Sequence, residues 1–260
     1  MEVKDSRPVR QTRHGSVASD IREWVFSLPE GSAFYLADVP AAPRAAARVL
    51  HDLVRDHYEI ERIFKGFYWR GSPLDSLNPV DPPLGRLAMA YAGAGSGYAG
   101  ATAVNRLGWT TQVPVGYEIG VVGRAPQPGS NFVRFSSRSN RERLDLTWAE
   151  ITLLEGVLNF HLAEAMSWDD ESDASYAEAA WAGALEELRS GWSAHRLGPG
   201  AHIRTKAVLE AAPAEPRQPA GFLDLVEDLA QQLPDAITTG DGHGESTAYS
   251  GFNAPALALL

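Results

Sequence analysis

Cysteine is absent from the 260 residues, which excludes disulfides and thiolate metal sites. The seven histidines are scattered without close ligand spacing. The opening residues, MEVKDSRPVRQTRHG, hold no apolar run and do not read as a signal peptide. No stretch approaches the ~20 apolar residues of a membrane span. Together these absences predict a soluble, cytoplasmic protein with no membrane contact. Catalytic signatures are also missing. There is no Gly-x-Ser-x-Gly elbow and no His-Glu-x-x-His helix. Glu-x-Lys, which a nuclease would place on a strand to hold a metal, occurs only as Glu2-Val3-Lys4 near the start. The acidic run Asp169–Asp173 lacks the glycine and the spaced twelfth ligand of a calcium loop and reads as a solvated turn. The expectation is a protein that is not an enzyme, with no catalytic residues, no metal and no cofactor.

What is present is enough apolar content, 44%, for real cores. The length predicts one large or two modest domains. The net charge of −10 is unevenly spread. Residues 1–72 carry +1, residues 73–168 carry −1 and residues 169–260 carry −10. The acidic excess is therefore confined to the last third, where it serves docking or solubility. A basic face near the N-terminus stays possible.

The stretch from Pro43 to Gly71 contains such a face. Ala46, Val49, Leu50 and Leu53 recur at helical spacing and share one side. Arg44, Arg48, His51 and Arg55 recur at the same spacing, rotated about 200° away. Pro43 suits a first helical turn. Two segments rich in Ile, Phe, Tyr and Trp follow, split by Lys65-Gly66, a tight-turn signal. Arg62 and Arg70 add cations to those two segments. Upstream, Ile21, Trp24, Val25 and Leu28 predict a helix over Ser19–Leu28, capped by Ser19 or Asp20. Ser32–Leu36 reads as a strand and Ala37–Pro40 as a helical turn. Helix, strand, short helix, basic helix and hairpin is the order of a winged helix-turn-helix over residues 18–71. In that module the helix enters the major groove and the hairpin touches the backbone. The plainer alternative is an amphipathic helix packed on a hairpin.

Residues 1–17, with Lys4, Arg7, Arg10 and Arg13, read as a flexible basic arm, either solvated or following a groove. Four prolines in residues 72–84 predict a linker. Residues 85–233 follow as a mixed α/β domain with a helical C-terminal part, so the whole is α+β. Its expected elements are helices over Gly85–Ala92 and Tyr98–Leu107, then strands at Tyr117–Val122 and Phe132–Phe135. Gly108 is the expected C-cap of the second helix. Gly93–Gly97 lacks the Lys-Ser/Thr of a phosphate loop and reads as a turn. Ser136–Arg143 is locally basic, either a solvated loop or a nucleic-acid contact. Thr147 and Glu150 form a capping box for a helix over Trp148–Met166. Ile151, Leu154, Leu158 and Leu162 are its expected core stripe. Helices over Tyr176–Trp192, 202–211 and 219–233 precede a disordered tail, 234–260.

The run Gly100-Ala-Thr-Ala-Val-Asn105-Arg-Leu-Gly108-Trp-Thr-Thr111-Gln-Val-Pro114 resembles the signature of AbiEi-type antitoxins of bacterial type IV toxin–antitoxin systems. Leu28–Ser32, the hairpin Lys65–Tyr68 and Leu146–Glu150 are similar to that family more loosely. The resemblance spans roughly residues 18–165. It implies a winged helix that binds double-stranded DNA at its own promoter and represses it. It also implies a C-terminal domain that counters a cognate nucleotidyltransferase-like toxin. Small residues such as Ala101, Ala103 and Gly108 permit close packing, and Asn105 and Gln112 suit backbone hydrogen bonds at a turn. The signature therefore reads as structural. An orphan winged-helix regulator with a ligand-sensing or dimerisation domain is the alternative.

Overall fold

The computed structural model describes residues 15–56, 59–71, 83–127, 131–159, 162, 196–197, 201 and 203–215. The expected arm up to residue 14, most of the proline-rich stretch, the acidic turn, the helices at 176–192 and 219–233, and the tail lie outside these. The chain divides into two compact units. One comprises Met1–Val80 with Ala248–Leu260, the other Asp81–Thr247. Both mix helices with a small three-stranded sheet, an α+β composition. No helix among the described residues is long and apolar enough to cross a membrane.

The first unit begins with α1, Val17–Ser27. Its cap is Ser16, whose hydroxyl accepts from the Ser19 amide at 3.2 Å, so the helix starts earlier than Ser19 or Asp20 would have it. Strand β1, Ala33–Tyr35, runs into a 3-10 turn over Leu36–Asp38. Helix α2 spans Pro43–Asp56, and strands β2, Ile60–Phe64, and β3, Phe67–Arg70, form the hairpin. The antiparallel sheet has the order β1-β3-β2, with Phe34 opposite Tyr68 and Phe64 opposite Phe67. Strand alternation sends Phe34, Tyr68 and Ile60 to one face. They pack with Ile21 and Val25 of α1 and Ala46, Val49, Leu50 and Leu53 of α2. Trp24 meets the Phe34 ring edge-on at 5.5 Å, and Tyr68 stacks on Phe34 at 5.6 Å. Tyr35, Phe64, Phe67 and Trp69 lie on the opposite face.

The second unit opens with α3, Leu84–Ala92. Then come β4, Gly97–Tyr98, α4, Gly100–Arg106, β5, Tyr117–Val122, and β6, Val133–Arg138. A 3-10 turn over Glu142–Asp145, α5, Trp148–Leu158, and α6, Thr205–Ala211, complete it. In its sheet β4 pairs antiparallel with β5, and β5 pairs parallel with β6. Val104, Leu107, Trp109, Ile151, Leu154 and Val208 belong to its core.

Several expectations need correction. Tyr98 is not helical: β4 hydrogen-bonds with β5, Ala99 is extended, and α4 begins only at Gly100. Strand β6 runs on to Arg138, so Ser136–Arg138 is strand and not loop. Helix α5 is buried on every side from Ala149 to Val157, where a single stripe was expected. Leu162, an expected core residue, is exposed. The capping box is formed as expected: Thr147 Oγ1 accepts from Glu150 N, and Glu150 Oε2 accepts from Thr147 N at 2.8 Å. Gly108, at φ +81°, closes α4 with two reversed bonds, Trp109 N–H to Val104 O and Gly108 N–H to Asn105 O. Asn105 Nδ2 donates to the carbonyls of Thr110 and Gln112 at 3.2 and 3.0 Å, holding the turn that follows. Gln112 joins this turn through its backbone carbonyl and amide. Ala103 is buried, whereas Ala101 is exposed.

Candidate nucleic-acid interface

Helix α2 divides into two faces along its whole length. Its apolar stripe is buried, with Ala46 and Leu50 fully enclosed. Arg44, Arg48, His51 and Arg55 are all exposed on the opposite side. The separation follows from the 100° advance per residue, since charges a half-turn from the core stripe reach water. The helix begins where Ala45 and Ala46 amides donate to the Ala42 carbonyl.

The two halves of this face differ in charge. Pro43–Leu50 contains no carboxylate, and Arg44 and Arg48 have no acidic partner among the described residues. Arg55 is held by Asp56, with Nε–Oδ1 at 2.7 Å and Nη2–Oδ2 at 3.0 Å, and its Nη1 lies 3.6 Å from Asp52. The Asp56 hydrogen bonds and the charges of Asp56 and Asp52 push the Arg55 guanidinium above its ordinary value. His51 Nδ1 lies 3.7 Å from Asp52. The spacing carries the signal for this pairing, since Asp52 and Arg55 are three positions apart on the helix.

The hairpin turns at Lys65-Gly66, where Gly66 takes φ +73°. Lys65 is exposed at the tip. The Gly66 carbonyl accepts from the Leu36 amide at 2.8 Å, so the tip is tied to the 3-10 turn that leads toward α2. Arg62 is exposed, and its Nε donates to the Phe64 carbonyl at 3.4 Å. Arg70 is placed differently. It is half-buried, with its guanidinium 5.9 Å from the Phe26 ring centre. The structure thus gathers Arg44, Arg48, His51 and Arg55 on one surface and puts Arg62 and Lys65 on the exposed hairpin. Arg70 is part of the packing against α1.

The basic run before α5 has an internal destination. Within Ser136–Arg143, Arg138 and Arg143 enter a buried ion cluster, while Ser137, Ser139 and Arg141 stay exposed. Arg143 is fully enclosed, with Nε 2.5 Å from Glu215 Oε1 and Nη2 2.8 Å from Glu155 Oε1, the latter at a poor hydrogen-bond angle. Arg138 grips Glu155 in a two-pronged pair, Nε–Oε1 at 2.7 Å and Nη2–Oε2 at 2.9 Å. Burial alone would raise the Glu155 carboxyl; the Arg138 hydrogen bonds and the charges of Arg143 and Arg138 outweigh it and hold it below the usual range. Glu150 is lowered in the same way, burial opposing and the Arg204 hydrogen bond prevailing. Such perturbation can mark catalysis, but here every shifted carboxylate is matched by arginine, as in a structural ion pair. No three His, Asp or Glu side chains gather for a metal among the described residues.

An open groove of about 210 Å³ adjoins α4 and the starts of β5 and β6. It is lined in part by Thr102, Glu118, Asn131, Phe132 and Arg134. Phe132 is exposed there, and Ser136 Oγ donates to Glu118 Oε1 at 2.6 Å.

No family model matches the chain, and no curated protein matches it. Among solved structures, the chain is similar to one described as the crystal structure of RV2827C protein from Mycobacterium tuberculosis. That likeness has 15% identity and a TM-score of 0.33, over 84% of this chain and 83% of that chain.

Proposed function

We propose that this chain is a DNA-binding antitoxin whose residues 18–71 form a winged helix-turn-helix that binds and represses its own promoter. The observation that carries the reading is the exposed basic stripe of α2 directly opposite its buried stripe. The order of elements and the β1-β3-β2 sheet fit the same module. In this reading Arg44 and Arg48 face the major groove, where the N-terminal residues of a recognition helix meet base edges. Lys65 and Arg62 meet phosphates. Arg55 contributes less, because Asp52 and Asp56 already neutralise it and repel the DNA backbone. The second unit counters a nucleotidyltransferase-like toxin, a role supported by the resemblance at Gly100–Pro114, and performs no turnover itself. A gel-shift titration against the chain's own promoter and random duplex tests the first part; equal affinity for both defeats it. Co-purification with, or growth rescue from, a nucleotidyltransferase encoded beside it tests the second.

A second reading has one observation in its favour. The groove of about 210 Å³ combines an exposed ring, a carboxylate, a guanidinium and an amide, a set suited to a small polar ligand. A ligand-sensing regulator would show operator affinity that changes with a small molecule and no dependence on a toxin.

A further inference from the structure

We propose that the duplex taken by α2 is selected by guanine: Arg44 and Arg48 each hold the O6 and N7 edge of one guanine, and the two guanines lie one or two base steps apart. The inference rests on the DNA-binding reading above and goes beyond it, because the composition of the exposed face decides which bases can be read. In the major groove guanine presents two acceptors, and adenine an acceptor beside a donor. Cytosine presents a donor, and thymine an acceptor beside a methyl group. From Ala42 to Leu50 the only polar side chains are Arg44 and Arg48. Both are exposed and have no acidic partner among the described residues. A guanidinium is a planar fork of donors with no acceptor, so its two-pronged match is guanine.

The other bases lack a reader on this helix. Adenine needs an acceptor and a donor side by side, as Asn or Gln supplies them, and α2 contains no Asn, Gln, Ser or Thr. His51 is exposed, but its two ring nitrogens point apart and cannot serve one base edge together. Cytosine needs an acceptor. The carboxylates of α2 are those of Asp52 and Asp56, in its second half. Asp56 takes two hydrogen bonds from Arg55, at 2.7 and 3.0 Å, and Asp52 lies 3.6 Å from Arg55 and 3.7 Å from His51. Ala47 borders the basic stripe and is half-buried, so its methyl group can meet only the methyl group of thymine. The spacing follows from the helix. Arg44 and Arg48 are four residues apart, a rise of about 6 Å, and successive bases are about 3.4 Å apart along the duplex.

Selection of random duplexes by the full chain, followed by sequencing, tests this. Bound sites should carry two guanines on one strand, one or two steps apart. Arg48→Ala should reduce the preference at one of these positions and Arg44→Ala at the other. Each loss should be roughly 5- to 150-fold, the range for a lost two-pronged base contact. Arg48→Gln goes further, since Gln carries the pair of groups that adenine needs; the preferred base at that position should turn from guanine to adenine. In a second arm the unaltered chain meets its selected site with 7-deazaguanine, which lacks N7, at either position, and should bind several-fold more weakly. Undiminished affinity there overturns the proposal. So does a selected site without the paired guanines, or one whose preferences are the same for all four chains; either leaves the DNA-binding reading in place. No enrichment over the starting library defeats both, because then no base is read.

Discussion

Arg48 and Arg143 are the same residue type at opposite extremes. Arg48 stands in water on α2, without a carboxylate partner among the described residues. Arg143 is fully enclosed between Glu155 and Glu215. The first unit keeps the charges of α2 outside its apolar core, while the second buries Arg143 with Glu150, Glu155 and Glu215 and half-buries Arg138. The difference lies in what the neighbours supply. A guanidinium can be buried only where carboxylates offset its lost hydration. On α2 the buried side holds Ala, Val and Leu, so its arginines have no inward option. A charge left in water remains available to a partner, and a charge paired inside is committed to the fold.

The sharpest way to break this comparison is to remove Glu155. Glu155→Ala leaves Arg143 and Arg138 without their shared carboxylate, and a buried pair broken on one side costs about 3–5 kcal/mol. Urea denaturation should show the second unit losing that much while the first unit's transition stays put. A loss below 1 kcal/mol would mean that the cluster is hydrated and that the contrast is false. Removing all four charges together, as in Arg138→Met, Arg143→Met, Glu155→Leu and Glu215→Leu, should recover part of the loss, because no charge of the cluster is then left alone.

Acid probes the same cluster without mutation. The carboxyls of Glu155 and Glu150 are lowered in the folded state. Their contribution is therefore complete above the ordinary value of about 4.3 and is lost as pH falls through the lowered folded values. Trp109 lies in the second core, so a fluorescence titration from pH 7 downward should report that unit loosening below about pH 4.3. Loosening that sets in near neutrality would contradict the assignment.

On the exposed side the effects move from stability to binding. Arg48→Ala should cost about 1–3 kcal/mol of discrimination between operator and random duplex. Its effect on unfolding should stay within about 0.5 kcal/mol. Lys65→Ala should weaken all duplexes alike and reduce the log–log salt slope by about 0.9. Fluorescence anisotropy over a salt series measures both. Arg55→Ala should change least, since Asp52 and Asp56 already neutralise its charge; a salt slope that falls as far as for Lys65→Ala would show that they do not. A local test runs between these. Thr147→Ala removes the cap hydroxyl of α5 and should cost about 1 kcal/mol.

The features legible in the linear chain share one property: each is closed within a few residues. The two stripes of α2 follow from the turn angle of the helix. The Thr147/Glu150 box, the Lys65-Gly66 hairpin and the Gly108 helix stop each join groups no more than five positions apart. Spacing rules read such patterns directly because the backbone geometry of one or two turns sets them. Six arginines and lysines and one histidine stand out on that basis, and all but Arg70 are exposed. Arg70 is half-buried, because strand alternation sends it to the helix face, where α1 supplies Phe26.

Sequence by itself determined the helix faces, caps and turns, and the charge imbalance of the last third. Tertiary structure alone decided that β5 and β6 run parallel, that Gly97–Tyr98 is a strand and that Ser136–Arg138 extends β6. It also decided that Arg143 points inward to Glu215, 72 positions away. No local pattern encodes that pairing. Its energy depends on desolvation and on the distance between groups that meet only when the chain has folded, so the same basic run would read alike whether it faced water or the core.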